Sequence, residues 1–318
     1  MFDIKNEVLT AEKRIRQHVK KTPLDYSRAL SHETQANVFL KCENLQYTSS
    51  FKVRGAINKL LSLTPSQQEQ GIVTASSGNH GAAVAFSLNK LNLNGIVFVP
   101  ENVSSTKVDN IRNYTSDLKF YGKECIQTEL YALNYAKQHQ MIYVSPYNDP
   151  QVIAGQGTIG LELLKQLDTI DAVLVPIGGG GLISGIAGYL KSVNPNIKII
   201  GCLPENSPVM SESIKAGRII EMETLPTLSD ATAGGIEADS ITFELCHQCV
   251  DDYILVSEKE IKNAILRLIR TQHLLIEGAA GLALAALLKN AKEFRGQNTV
   301  VILSGANISI ETLKSLLV

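Results

Sequence analysis

Apolar residues along this chain gather in short continuous runs rather than in strict alternation. "GIVTA", "NGIVFVP", "DAVLVPI", "IKIIGCL" and "TVVILSG" each end in glycine or a polar turn and lead into a segment of helical period. Strands that are apolar on both faces and alternate with helices predict a mostly parallel sheet covered on both sides. Between residues 71 and 144 such runs crowd together, with "DLKFYG" and "MIYVSP" closing the set. A second series starts near Asp171 and takes in the strand-like "NVFLKCENL" near the N-terminus. The pattern reads as a small α/β domain, residues 69–149, inserted into a larger discontinuous domain of residues 1–68 and 150–318.

Polar residues stand where these strands end, and they carry the candidate chemistry. In "DAVLVPIGGGGLISGIAGYL", Gly178, Gly179, Gly180 and Gly181 separate an apolar strand from a helix whose inward residues Leu182, Ile186 and Leu190 recur every four. Ordered flanks argue against a linker. They favour a loop whose main-chain N–H groups face an anion, helped by the helix N-terminus, with a structural turn as the alternative. "TASSGNHGAA" places Ser76, Ser77, Gly78, Asn79 and His80 where a strand passes into an alanine-rich helix. Such side chains can cap the helix, and they also stand where open α/β sheets bind ligands. His80 alone reads as a structural histidine. "ILSGAN" repeats the arrangement at the last strand, and Glu277 in "LLIEGAAGLALAAL" is a charge at a helix start. "GQGTIG", residues 155–160, matches a dinucleotide-binding pattern letter for letter. It follows a proline-bearing stretch instead of a strand, and no acid ends the next strand, so nucleotide binding is set aside.

Composition narrows the function classes. The 318 residues are 44% hydrophobic, enough for a sizeable core, and 30 basic against 31 acidic side chains leave a net charge of −1. Nothing there favours nucleic acid or an anionic membrane surface, and a small polar partner is expected. The N-terminal stretch lacks a signal-type apolar core, and no run reaches the roughly 18 apolar residues of a membrane span. Five scattered cysteines, an odd number, point to a reducing cytoplasm. Cys246 and Cys249 have metal-ligand spacing without a second pair, so they read as helix neighbours and no metal site is expected.

Taken in order, "SSFKVRGA", "SSGNHG", "VIAGQGT", "GGGGL", "EGAAG" and "SGAN" resemble the fold-type II pyridoxal-phosphate enzymes, specifically the threonine/serine dehydratase and serine racemase family. The likeness spans nearly the whole chain. It implies a two-domain, tryptophan synthase β-like α/β fold with open, mostly parallel sheets, pyridoxal 5'-phosphate as cofactor, and a homodimer. Lys52 falls on the family's Schiff-base lysine, with Phe51 and Asn79 flanking the ring. Gly178, Gly179, Gly180, Gly181 and Leu182 fall on the phosphate loop, Ser304 on the residue facing the ring nitrogen, and Glu277 beside the ring. Ser76, Ser77, Gly78, Asn79 and His80 would hold the substrate carboxylate.

The implied activity is ammonia loss from a small β-hydroxy amino acid such as L-threonine or L-serine, with Lys52 moving the Cα proton. A serine rather than an aspartate at position 304 makes the ring a weaker electron sink and favours prompt expulsion of the β-hydroxyl. Ser77 stands where racemases place the acid of the opposite face, so racemisation is the alternative activity. A binding protein without catalysis is a third reading. Leu203 occupies a position at which metal-binding members carry an acid, Glu205 is offset from it, and Ala231 replaces a glycine of the family pattern. The chain stops at Val318, so a regulatory domain and isoleucine feedback are not expected.

Overall fold

The computed structural model describes residues 3–114 and 117–317. Its strands are β1 (Leu24–Tyr26), β2 (Asn37–Lys41), β3 (Ile72–Ala75), β4 (Gly95–Val99), β5 (Leu118–Phe120), β6 (Ile142–Tyr143), β7 (Ala172–Pro176), β8 (Lys198–Pro204), β9 (Asp252–Val256) and β10 (Asn298–Ile302). Six of them form one sheet in the order β1-β2-β10-β7-β8-β9, and four form a second in the order β5-β4-β3-β6. Every pairing is parallel except β1 with β2. Each apolar run quoted above became a strand. Strands β1 and β9 lie at the two edges of the larger sheet, where fewer apolar residues are needed and the sequence signal is weaker.

Two clusters of buried side chains cover the faces of the larger sheet. Leu40, Leu174, Ile200 and Val301 pack on one side, and Val173, Val175, Ile199 and Val300 on the other, so alternate residues of one strand enter opposite cores. The helix Lys52–Ser62 buries Val53, Ile57 and Leu60 with Ile72, Val84, Leu88 and Val144 of the smaller unit.

"GQGTIG" lies inside the helix Pro150–Gln166. A Cβ on Gly155 would sit 2.5 Å from the Arg54 carbonyl oxygen, and one on Gly157 would sit 2.9 Å from that of Gly185. These glycines let three helices approach backbone to backbone. Cys246 and Cys249 likewise share the helix Ile241–Cys249, and all five cysteines are free.

Beneath the Lys52–Ser62 helix lies a buried group of charges. Arg54 donates from Nε to Glu43 Oε2 at 2.8 Å and from Nη1 to Glu162 Oε1 at 2.8 Å, and Lys41 Nζ donates to Glu162 Oε2 at 2.5 Å. All four side chains are at most 1% exposed. The two cations hold the Glu162 carboxyl well below the usual carboxylate range against its own burial.

Candidate active site

Residues that follow β3, β7 and β10 come together where the two sheets face each other, as expected for ligand sites at the carboxyl ends of parallel strands. Phe51, Lys52, Asn79, Gly178, Gly179, Gly180, Gly181, Leu182, Glu277 and Ser304 line one cavity of about 600 Å³. Ser76, Ser77, Gly78, Asn79 and His80 line an adjoining lobe of about 450 Å³, which shares Lys52, Asn79 and Glu277 with the first. The structure thus gathers every site residue singled out above around one space.

Lys52 opens its helix, and its Nζ donates to the Pro146 carbonyl oxygen at 2.8 Å while lying 5.3 Å from the Phe51 ring centre. No carboxylate pairs with it within 4 Å among the described residues. Burial pushes this amine down to about 8, only partly opposed by Glu277. A lysine so placed gives up its proton far more readily than an ordinary one and, once neutral, can act as a nucleophile or base.

Glu277 stands at the N-cap of the helix Gly278–Lys289 but makes no capping bond. Its side chain turns into the site instead, accepting from Asn79 Nδ2 at 2.8 Å and from the Asn307 N–H at 3.0 Å. Asn307 Nδ2 in turn donates to Asn79 Oδ1 at 2.6 Å. Burial and the nearby Asp230 push the Glu277 carboxyl up to about 8. A Cβ on Gly305 would meet Glu277 Oε1 at 2.6 Å, which explains the small residue in "SGAN".

The glycine loop is held from two sides. Gly180 takes φ +86° and precedes the helix Gly181–Val193, which no side chain caps. Cβ atoms on Gly179 and Gly181 would collide with Tyr147 at 2.5 and 2.9 Å, and Thr242 Oγ1 donates to the Gly179 carbonyl oxygen at 2.7 Å. An uncapped helix start behind a glycine run suits an anion. Ser304 is 1% exposed and its Oγ has no hydrogen-bond partner, an arrangement a polar ring atom in the cavity would satisfy.

His80 Nε2 lies 3.0 Å from the Val144 carbonyl oxygen, and burial followed by the Lys52 charge pushes the ring down to about 3. It is neutral, with Nε2 the donor and Nδ1 without a partner. Gly78 caps the helix Asn79–Leu91 with no side-chain bond, while Ser76 Oγ accepts from the Gly78 N–H at 3.2 Å. The hydroxyls therefore leave that helix start uncapped.

Reading residues missed Pro146, Tyr147 and Thr242. Tyr147 lies in "SPYNDP", where an aromatic between two prolines is the only hint. Among the described residues no three His, Cys, Asp or Glu side chains group as metal ligands, Leu203 is buried and Glu205 is exposed.

The model of the family described as "Pyridoxal-phosphate dependent enzyme" matches residues 15–305. The chain belongs to this family. It is 39% identical over 313 residues to the catabolic L-threonine dehydratase TdcB of Escherichia coli strain K12, covering 98% of this chain and 95% of that one. Among solved structures it is similar to maize serine racemase, with a TM-score of 0.93, 30% identity and 100% and 97% of the two chains covered. The processed form of threonine deaminase isoform 2 from Solanum lycopersicum superposes with a TM-score of 0.95 at 31% identity, over 99% and 87% of the chains. The cavity carries Lys52 on one wall and, on another, the glycine loop ahead of an uncapped helix start.

Proposed function

We propose that the protein is an ammonia-lyase that converts a small β-hydroxy amino acid, such as L-threonine or L-serine, to a 2-oxo acid and ammonia. The observation that carries this reading is the placement of Lys52, its amine pushed down to about 8 by burial, on a cavity that also holds the glycine loop and the buried Ser304. Similarity to dehydratases and deaminases over nearly the full chain supports it.

Phe51, Asn79, the loop residues 178–181, Leu182, Glu277 and Ser304 would hold the cofactor. Bound there, pyridoxal phosphate supplies the electron sink that acidifies the substrate Cα–H. Lys52 accepts that proton and is the base of one face. The uncapped start of the Asn79–Leu91 helix, with Ser76, Ser77 and His80 beside it, grips the substrate carboxylate. Asn79, anchored by Glu277, fixes the ring's position. The β-hydroxyl leaves as water, and a second water releases ammonia, so the net change is amino acid to 2-oxo acid plus ammonia.

Ser77 lines the same lobe as Lys52. This favours racemisation as the second reading, with Ser77 exchanging the proton on the face opposite Lys52. Release of keto acid and ammonia from L-threonine or L-serine tests the first reading, and a silent panel of β-hydroxy amino acids refutes it. Solvent deuterium at Cα of inverted product tests the second. The same reading includes the two-domain division at residues 69–149, a homodimer and a cytoplasmic location; no helix of the described residues is long and apolar enough to cross a membrane.

A further inference from the structure

Pro146, Tyr147 and Asn148 belong to one turn between β6 and the helix Pro150–Gln166, and this turn touches both anchors proposed above for the cofactor. On one side Lys52 Nζ donates to the Pro146 carbonyl oxygen at 2.8 Å. On the other, the Tyr147 ring lies against the glycine loop so closely that a Cβ on Gly179 would stand 2.5 Å from its Cδ1. A Cβ on Gly181 would stand 2.9 Å from that of Tyr147. Asn148 reaches the loop from behind: its Oδ1 accepts from the Ile241 N–H at 3.0 Å and so holds the helix whose Thr242 Oγ1 donates to the Gly179 carbonyl oxygen at 2.7 Å.

The turn is itself firmly held. Ser145 Oγ accepts from the Tyr147 and Asn148 N–H groups at 3.4 and 3.0 Å, the Glu237 N–H donates to Tyr147 Oη at 3.0 Å, and Asp149 caps the helix that follows. The glycine loop has no such stiffness of its own. Four consecutive glycines lose more backbone freedom on ordering than any other residues, and no side chain caps the helix they lead into. Its shape must therefore come from what packs on it. A flat aromatic ring supplies broad contact while fixing few side-chain torsions, and only bare backbone can lie so near it.

We propose that Tyr147 is a positioning residue whose ring holds the glycine loop at the distance from Lys52 at which one pyridoxal phosphate molecule reaches both. This rests on the reading of Lys52 and residues 178–181 as the cofactor's two anchors, and it assigns the side chain that sets their spacing. The aldehyde and the phosphate arm are carried by one rigid ring, so anchors that drift apart by roughly 0.5 Å no longer both engage well. Adjacent residues of a single held turn meet that demand. Removing the ring frees the loop while the Pro146 carbonyl still receives the amine, so the loss falls on phosphate recognition.

The test titrates the cofactor-free full chain with pyridoxal 5'-phosphate and, separately, with pyridoxal, which condenses with a lysine in the same way but carries no phosphate. Visible absorption reports both. The ratio of the two affinities isolates the phosphate seat from the amine and from the fold as a whole. We expect Tyr147→Ala to lower that ratio by about tenfold or more, because the loop must then be ordered at the expense of binding, and Tyr147→Phe to stay within about twofold of the parent protein. Tyr147→Leu, which keeps apolar bulk without the flat face, provides a second variant should Tyr147→Ala fail to fold, with a fall of about fivefold or more. An unchanged ratio in every variant that folds overturns the proposal, as does an equal loss of affinity for both molecules, the mark of a merely structural role. A fall in Tyr147→Phe as large as that in Tyr147→Ala overturns it too, by assigning the effect to the hydroxyl. Equal affinity of the parent protein for the two molecules would sink the phosphate-seat reading and the proposal with it, whereas a preference kept by parent and variants alike sinks the proposal alone.

Discussion

Asn79 and Glu277 lie 198 residues apart in the chain, yet a 2.8 Å hydrogen bond from Nδ2 to Oε1 joins them across the site. One opens a helix that follows a strand of the four-stranded sheet, and the other stands at the N-cap position of the helix Gly278–Lys289 without capping it. Through Asn307, which bonds to both, the last strand's polar turn is tied to the same pair. The site's geometry is therefore fixed by three remote segments at once.

That arrangement has a pH signature in the cofactor-free protein. Folded, Glu277 keeps its proton to about pH 8, against 4.5 for an ordinary glutamate. The folded state binds more protons within that window, so this group's contribution to stability falls as pH rises from about 4.5 to 8. Lys52 acts oppositely, losing its proton near 8 when folded and near 10.5 when unfolded, so its contribution rises between those values. Denaturant titrations across this range should show Glu277→Gln flattening the lower limb, whose slope cannot exceed about 1.4 kcal/mol per pH unit for one proton. An unaltered slope in the variant would contradict the protonated carboxyl.

Lys52→Ala should lower kcat by about a thousandfold or more, because base and nucleophile are lost together. Borohydride treatment of the holoenzyme followed by peptide mass spectrometry should label the peptide containing Lys52 and no other. Label on a different lysine would move the catalytic assignment elsewhere.

Arg54→Met would strand Glu43 and leave Glu162 with fewer cations in a group of side chains at most 1% exposed. A loss of roughly 3–5 kcal/mol in unfolding free energy is expected, as for other broken buried pairs. Arg54→Lys should recover little, since a single ammonium cannot bridge both carboxylates as the guanidinium does. Equilibrium unfolding of both variants decides this, and a change below about 1 kcal/mol in each would show the charges to be dispensable.

Gly155→Ala would bring a methyl group against the Arg54 carbonyl. Overpacking of this kind costs about 1–3 kcal/mol, to be read as a lower midpoint in thermal unfolding. Calorimetry should detect no dinucleotide binding to the parent protein, consistent with a helix at this place.

Much of the fold was legible because a buried parallel strand must be apolar throughout, and that demand writes itself into runs such as "DAVLVPI". Strands β1 and β9 escaped it as edges. The candidate site was legible where chemistry demands small or polar residues at strand ends, at Gly178 to either side of the phosphate-type turn and at Ser76, Asn79 and Ser304. Charged positions were harder. Lys41, Glu43, Arg54 and Glu162 look in sequence like any solvated side chains, and only their meeting across 121 residues reveals a buried network. "GQGTIG" shares only its spelling with a nucleotide-binding turn, because glycines needed for helix contact can copy the spacing of those needed for a turn.

Around the glycine turn, Lys52 is the one basic side chain of the described residues on that lobe. Under the proposed function, a phosphate seated there would be held by main-chain N–H dipoles and a helix end rather than by guanidinium or a cluster of ammonium groups. Ionic strength weakens attraction between exposed charges far more than it weakens short, enclosed hydrogen bonds. Concentrated salt should thus fail to strip the prosthetic group during purification, and the enzyme should keep its yellow colour through an ion-exchange column.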